Sequence, residues 1–256
     1  MPIGRIAVLA AAVVVACGAC GGGGGGGPAS DDVAEIPGVG VTRMDAPRPT
    51  GAASAPCDED PLPPARAQPI VERVADLRAI GLFADRAGVA DAVLADEIEA
   101  DLEATWSQPT TDGTLTPIPI DDPFMDLFVA QQDADRVWWN DLEADVSDGN
   151  EVYVDTIDGW AAISAGTFAP SKVEETWDGE TGPVTVTFDL AGAAQSLHPA
   201  YLEDWIDPRI LAPINELIGG TGRRFELVKA FDQTAFVMAL NEAERHALES
   251  RGWCFE

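Results

Sequence analysis

Two periodicities divide the chain beyond residue 68. Ile70, Val74, Leu77 and Ile80 recur at helical spacing, with Pro69 suited to a first turn and Gly81 to a stop. A second helix is predicted from Asp91 as its cap, with Leu94, Ile98, Leu102 and Trp106 as its inner stripe. Its outer side holds Asp96, Glu97, Glu99, Asp101 and Glu103. Consecutive helix positions point in different directions, so these acids form a solvated face and not a cage for one ion. Pro109, Gly113, Pro117, Pro119 and Pro123 then exclude helix. Residues 124–130 are apolar apart from Asp126, and Arg136-Val137-Trp138-Trp139 reads either as a strand or as the start of a helix. Asn150 is a capping candidate for a helix through Ser164, carried by Tyr153, Ile157, Trp160 and Ile163 and ended by Gly166.

The period then changes to two. Val184, Val186, Phe188 and Leu190 alternate with Thr185, Thr187 and Asp189, which predicts a hairpin with residues 173–177 and one buried face. Ala191-Gly192 can return a short third strand to His198. Asp207 and Pro208 form a cap and first turn for a helix with Ile210, Leu211, Ile214, Leu217 and Ile218 inside and Gly219 at its end. Pro213 demands a kink or a late start there. Residues 225–231 and 236–240 form a second hairpin, whose latter strand is apolar on both faces and therefore central. Asn241 and Glu244 have capping-box spacing for a last helix that Gly252 closes. The expected class is α+β: an antiparallel sheet of about five strands with helices packed on one side, preceded by an N-terminal helical segment and a disordered tether.

The front of the chain carries a different pattern. Arg5 precedes the unbroken apolar residues 6–16, the layout of an export signal and too short to span ~30 Å of hydrocarbon. Val14-Val15-Ala16-Cys17, followed by the glycine run at 21–27, resembles the lipobox of bacterial lipoproteins; the likeness covers only the first twenty or so residues. The resemblance implies cleavage before Cys17, diacylglycerol on its sulfur, usually an acyl group such as palmitate on its new amine, and a place in the cell envelope, membrane-anchored and facing the extracytoplasmic side. Cys20 fits less well, because Cys17 would then fill the branched apolar position. Cleavage without lipid and an uncleaved anchor remain alternatives. The chain so divides into a signal peptide at 1–16, a Gly/Pro/Ala-rich acidic tether at 17–68 and a single α+β domain at 69–256. The tether has a reach of roughly 30–40 Å.

Charge narrows the partners. The 44 Asp and Glu against 15 Lys and Arg give a formal net charge of −29. Such a surface repels phosphate backbones and anionic headgroups, so nucleic acid is excluded and attachment to a bilayer must come through lipid. The acidity suits a saline habitat or a biased genome, and equally a cation or a basic protein partner. Of the four cysteines, Cys57 and Cys254 flank the ordered region and are expected to join, closing a loop of roughly 200 residues for about 5 kcal/mol; two independent thiols are the alternative.

No motif assigns a catalytic residue. Ala162-Ile163-Ser164-Ala165-Gly166 resembles a nucleophile elbow, with His246 downstream, yet a helix stands where the elbow needs a strand. Residues 219–224 have glycines but not the order of a phosphate loop. His198 and His246 stand apart and make no zinc spacing. No metal or other cofactor is called for, an irregular calcium site near Asp145, Asp148 and Glu151 being the one considered. Most of the seven tryptophans belong in a core; Trp138 and Trp139, with Asp141 and Glu143, are the candidate ligand-binding surface, a ring to stack on a sugar and carboxylates to hold its hydroxyls. The expectation is a binding module for a protein or a cell-wall component. The alternatives are an envelope hydrolase with its site at the helix and sheet junction, and an inhibitor or immunity-type protein for a basic partner.

Overall fold

The computed structural model describes residues 67–106, 108–109, 115–116, 119–228 and 233–256. The export segment, Cys17, Cys20, the tether as far as 66 and Cys57 lie outside them.

The first helix, α1 (Ile70–Ile80), buries Val74, Leu77 and Ile80 and ends at Gly81, whose φ of 109° a side chain would resist. Helix α2 (Asp91–Trp106) buries Leu94, Ile98 and Leu102 and leaves its acids in water. A two-residue hairpin, β1 (Gln108–Pro109) with β2 (Leu115–Thr116), lies in the proline-rich crossing. Next come α3 (Met125–Ala130), β3 (Val137–Asp141) and α4 (Val152–Ile163). Strands β4 (Ser171–Trp177), β5 (Val184–Leu190) and β6 (Ala193–Leu197) follow as a meander. A short 3-10 turn at Pro208–Ile210 gives α5 (Leu211–Leu217) the late start that Pro213 required. The chain closes with β7 (Arg224–Val228), β8 (Thr234–Leu240) and α6 (Glu242–Glu249), the last with its capping box formed: Glu244 N–H donates to Asn241 Oδ1 and Asn241 N–H to Glu244 Oε2, both at 2.9 Å.

The class is α+β and all strand pairs are antiparallel. Apart from the β1-β2 pair, the strands are divided between two three-stranded sheets, β3-β8-β7 and β4-β5-β6, where the sequence suggested one sheet. Helices also pack on both faces of the first sheet, not on one. The reason is β8. Its residues from Ala235 to Leu240 are all at most 2 % exposed. Phe236, Met238 and Leu240 join a core with α1, α2, α3 and α6; Val237 and Ala239 join another with α4, α5 and the inner face of β5. Successive strand residues point to opposite sides, so a strand apolar throughout must be covered twice. In the second core Val184, Val186 and Phe188 supply the buried face of the meander, leaving Thr185 and Thr187 half-buried.

Candidate functional site

Helix α4 begins one residue later than its capping candidate. Glu151 is the N-cap, at φ 53°, and the side-chain amide of Asn150 donates instead to Asp145 O, Asp145 Oδ2 and Ser147 Oγ at 2.9 to 3.0 Å. The first-turn donor Tyr153 N–H finds its acceptor across the fold in Glu175 Oε2 at 2.8 Å, while Trp177 Nε1 donates to Oε1 of the same carboxylate at 2.7 Å. The Tyr153 hydroxyl in turn accepts from Asp207 N–H at 3.0 Å. Burial, helped by the charges of Asp207 and Glu175, pushes the phenol up to about 12, the Asp207 N–H bond working the other way. Burial also acts to raise Asp207, but hydrogen bonds from Arg209 and from the N–H groups of Ala200 and Arg209 outweigh it and hold that carboxyl below its ordinary value. This chain of bonds ties α4, β4 and the entry to α5 together with its groups already occupied.

The two tryptophans singled out for ligand binding do not share a surface. Trp138 and Trp139 are adjacent in β3 and point to opposite faces. Trp138 packs edge-on to Trp160 at 5.7 Å in one core, and Trp139 lies 6.3 Å from Phe236 in the other. Asp141 accepts from Glu143 N–H at 2.9 Å and, across to the start of β8, from Gln233 Nε2 at 3.0 Å. Ser164 is fully buried at the end of α4. Its hydroxyl lies 2.7 Å from Ala161 O and 3.0 Å from Phe168 O and accepts from the N–H groups of Gly166 and Phe168. It is a turn-forming group, and no described bond links it to a histidine. His246 is exposed on α6; His198 is exposed beside Thr185 and Ser196, at 3.4 and 3.3 Å. Among the described residues no group of three or more His, Cys, Asp or Glu side chains converges as a metal site. Asp145 and Glu151 both lie at positive φ in the loop before α4. The glycines at 219–222 join α5 to β7. Cys254 is buried and is not free.

The feature that sequence reasoning did not isolate is how completely the positive charge is used. Each described lysine and arginine is in an ion pair. Arg73 meets Asp126 in the interior, and Arg136 and Arg223 share the buried carboxylate of Glu244 at 2.9 and 2.8 Å. Arg224 and Arg245 flank Glu226. Arg78, Arg86, Lys172, Arg209 and Arg251 pair with Asp91, Glu97, Asp189, Asp207 and Asp76. The Arg136–Glu244–Arg223 cluster also accepts and donates locally, with Arg136 bonding Gly81 O and both arginines bonding Ala239 O, so it locks α1, β8 and α6 together. Among the described residues the charge left without an opposite partner is carboxylate. On α2 Asp96, Glu99, Asp101 and Glu103 are exposed, and only Glu97 of that outer row has an ion pair, with Arg86. This anionic face is the candidate site.

No family model, no curated protein and no solved structure matches the chain. Among the described residues no helix is long and apolar enough to cross a membrane.

Proposed function

We propose that this chain is a lipid-anchored envelope protein, acylated at Cys17 and cross-linked between Cys57 and Cys254, whose folded part binds a basic protein partner through its acidic exterior. One observation carries the binding reading: the described cations are all committed to ion pairs within the chain, while Asp96, Glu99, Asp101 and Glu103 of α2 stand in water without one. A partner bearing unpaired arginine or lysine finds four unpaired carboxylates there beside the single Arg86–Glu97 pair, and its approach is steered by the field of the whole chain. The lipobox-like segment supports the anchor, since a bilayer offers this surface no electrostatic attraction.

The test is a cross-linked pull-down from envelopes with the native chain and with Asp96→Asn, Glu99→Gln, Asp101→Asn and Glu103→Gln combined. Basic proteins retained by the native chain, released at ~1 M salt where screening acts within about 3 Å, and missing from the neutralised variant are the expected result. Equal retention by both removes the α2 face from consideration. Mass spectrometry of the membrane form reads the anchor separately: an intact Met1 or an unmodified Cys17 rules it out, and non-reducing peptide mapping decides the cross-link.

A further inference from the structure

An open sheet edge presents unpaired main-chain donors and acceptors, and proteins blunt such edges with charge, bulges or cover. Two of the four edges of the three-stranded sheets are treated in this way. The register of β4 breaks between Ser171 and Glu174, Lys172 there sits at φ 55°, and Lys172 and Glu174 are exposed. Strand β7 is covered by the C-terminal segment: Val228 bridges Phe255, and Glu256 N–H donates to Leu227 O at 3.0 Å. The edge of β3 is paired only past its end, where Ile206 N–H donates to Leu142 O and Ala144 N–H to Asp204 O, and the strand is flanked by charge at Arg136, Asp141 and Glu143. Strand β6 has none of these devices. Its pairing with β5 is regular from Ala193 to Leu197, its outer side meets no other strand among the described residues, and Ala193, Ala194 and Ser196 are exposed.

We infer that the free edge of β6 is where two copies of this chain join, antiparallel, into one continuous sheet. The two-residue turn at Ala191-Gly192, both at positive φ, makes Leu190 and Ala193 the closing bonded pair. Bonded and non-bonded positions alternate in such a ladder, so Ala193, Gln195 and Leu197 bond inward to β5, and the N–H and C=O of Ala194 and Ser196 point outward. Placing a two-fold axis at Gln195 sets Ala194 of each copy opposite Ser196 of the other and satisfies all four groups on each side, an isologous contact.

Charge selects the occupant. Residues 190–202 contain no Asp, Glu, Lys or Arg, in a chain of net charge −29. The nearest acid across the ladder, Asp189 opposite Ala194, is matched by Lys172 Nζ at 2.7 Å. A cationic partner is drawn to the carboxylates elsewhere and finds nothing at this edge. A second copy, repelled everywhere else, can approach where neither chain brings charge. This pairing stands independently of the lipid anchor and of the α2 face.

The test is sedimentation velocity on the full chain carrying Cys17→Ser, which removes any association through lipid. Dimer is expected to increase with protein concentration and with salt, since salt screens repulsion between the copies. Ala194→Pro deletes an outward N–H that β5 does not use, a change edge strands tolerate; it should weaken the dimer by about tenfold or more with the far-UV dichroism unchanged. Should that variant misfold, hydrogen exchange on the unsubstituted chain gives the same answer: the Ala194 and Ser196 amides gain protection as concentration rises. A monomer at every concentration and salt, association that salt weakens, a dimer indifferent to Ala194→Pro, or amides whose protection ignores concentration each overturns the pairing.

Discussion

Glu226 shows how a single side chain carries the cost of this molecule's acidity. It is 5 % exposed in β7, and burial pushes its carboxyl above the ordinary 4.5, with Arg245 and Arg224 pulling the other way. Asp133, 3 % exposed and accepting from Phe83 N–H, is raised for the same first reason. A folded-state value above the unfolded one means that the native protein holds the proton more tightly. Stability from such a group is therefore fully present below the unfolded value and is lost as pH rises through the folded one. Glu226→Gln fixes the neutral form. The variant's melting temperature relative to the native protein's is expected to be higher at neutral pH than near pH 4.5, read by thermal unfolding at both; a difference that does not change with pH contradicts the assignment.

At the scale of elements, the helix α4 carries the sharpest packing constraint. Replacing a helical glycine by alanine ordinarily helps by up to ~1 kcal/mol. A Cβ on Gly159, however, comes 2.5 Å from both Cδ1 and Nε1 of Trp138, whose ring is held edge-on against Trp160. Gly159→Ala is therefore expected to destabilise, by ~1–3 kcal/mol for an overpacked core, and to shift the tryptophan emission, both measurable in one denaturant titration. Elements whose partners lie within one turn were legible in the sequence. The stripe of α1, that of α2 from Leu94 to Leu102, the alternation of β5, the Asp207 cap and the Asn241–Glu244 box all stand where local pattern put them, the Trp106 side chain lying outside the described part of the structure. What local pattern missed depends on distant residues. Glu175 supplies the acceptor for the first turn of α4 from 22 positions away, which leaves Asn150 to bond Asp145. The division into two sheets follows from β3 choosing β8, nearly a hundred positions along. The opposite pointing of Trp138 and Trp139 was implicit in a strand reading but not in the helical one left open beside it. The acidic row of α2 was visible; that the cations elsewhere are all engaged was not, because ion pairs such as Arg136 with Glu244 span 108 positions.

For the molecule as a whole, the ledger of charge sets its response to the medium. Internal pairs such as Arg73–Asp126 and Arg136–Glu244 are shielded from solvent, whereas the repulsion among exposed acids is not. Added salt shortens the range of that repulsion from about 10 Å at 0.1 M to about 3 Å at 1 M. The melting temperature of the native chain is accordingly expected to rise with sodium chloride, and a fall would show that surface pairs such as Arg86–Glu97 outweigh the like-charge term. The position of β8 has a consequence of another kind. Both cores need this one strand, and it comes after every other strand in chain order. During synthesis neither core can reach its final packing until residue 240 has been made.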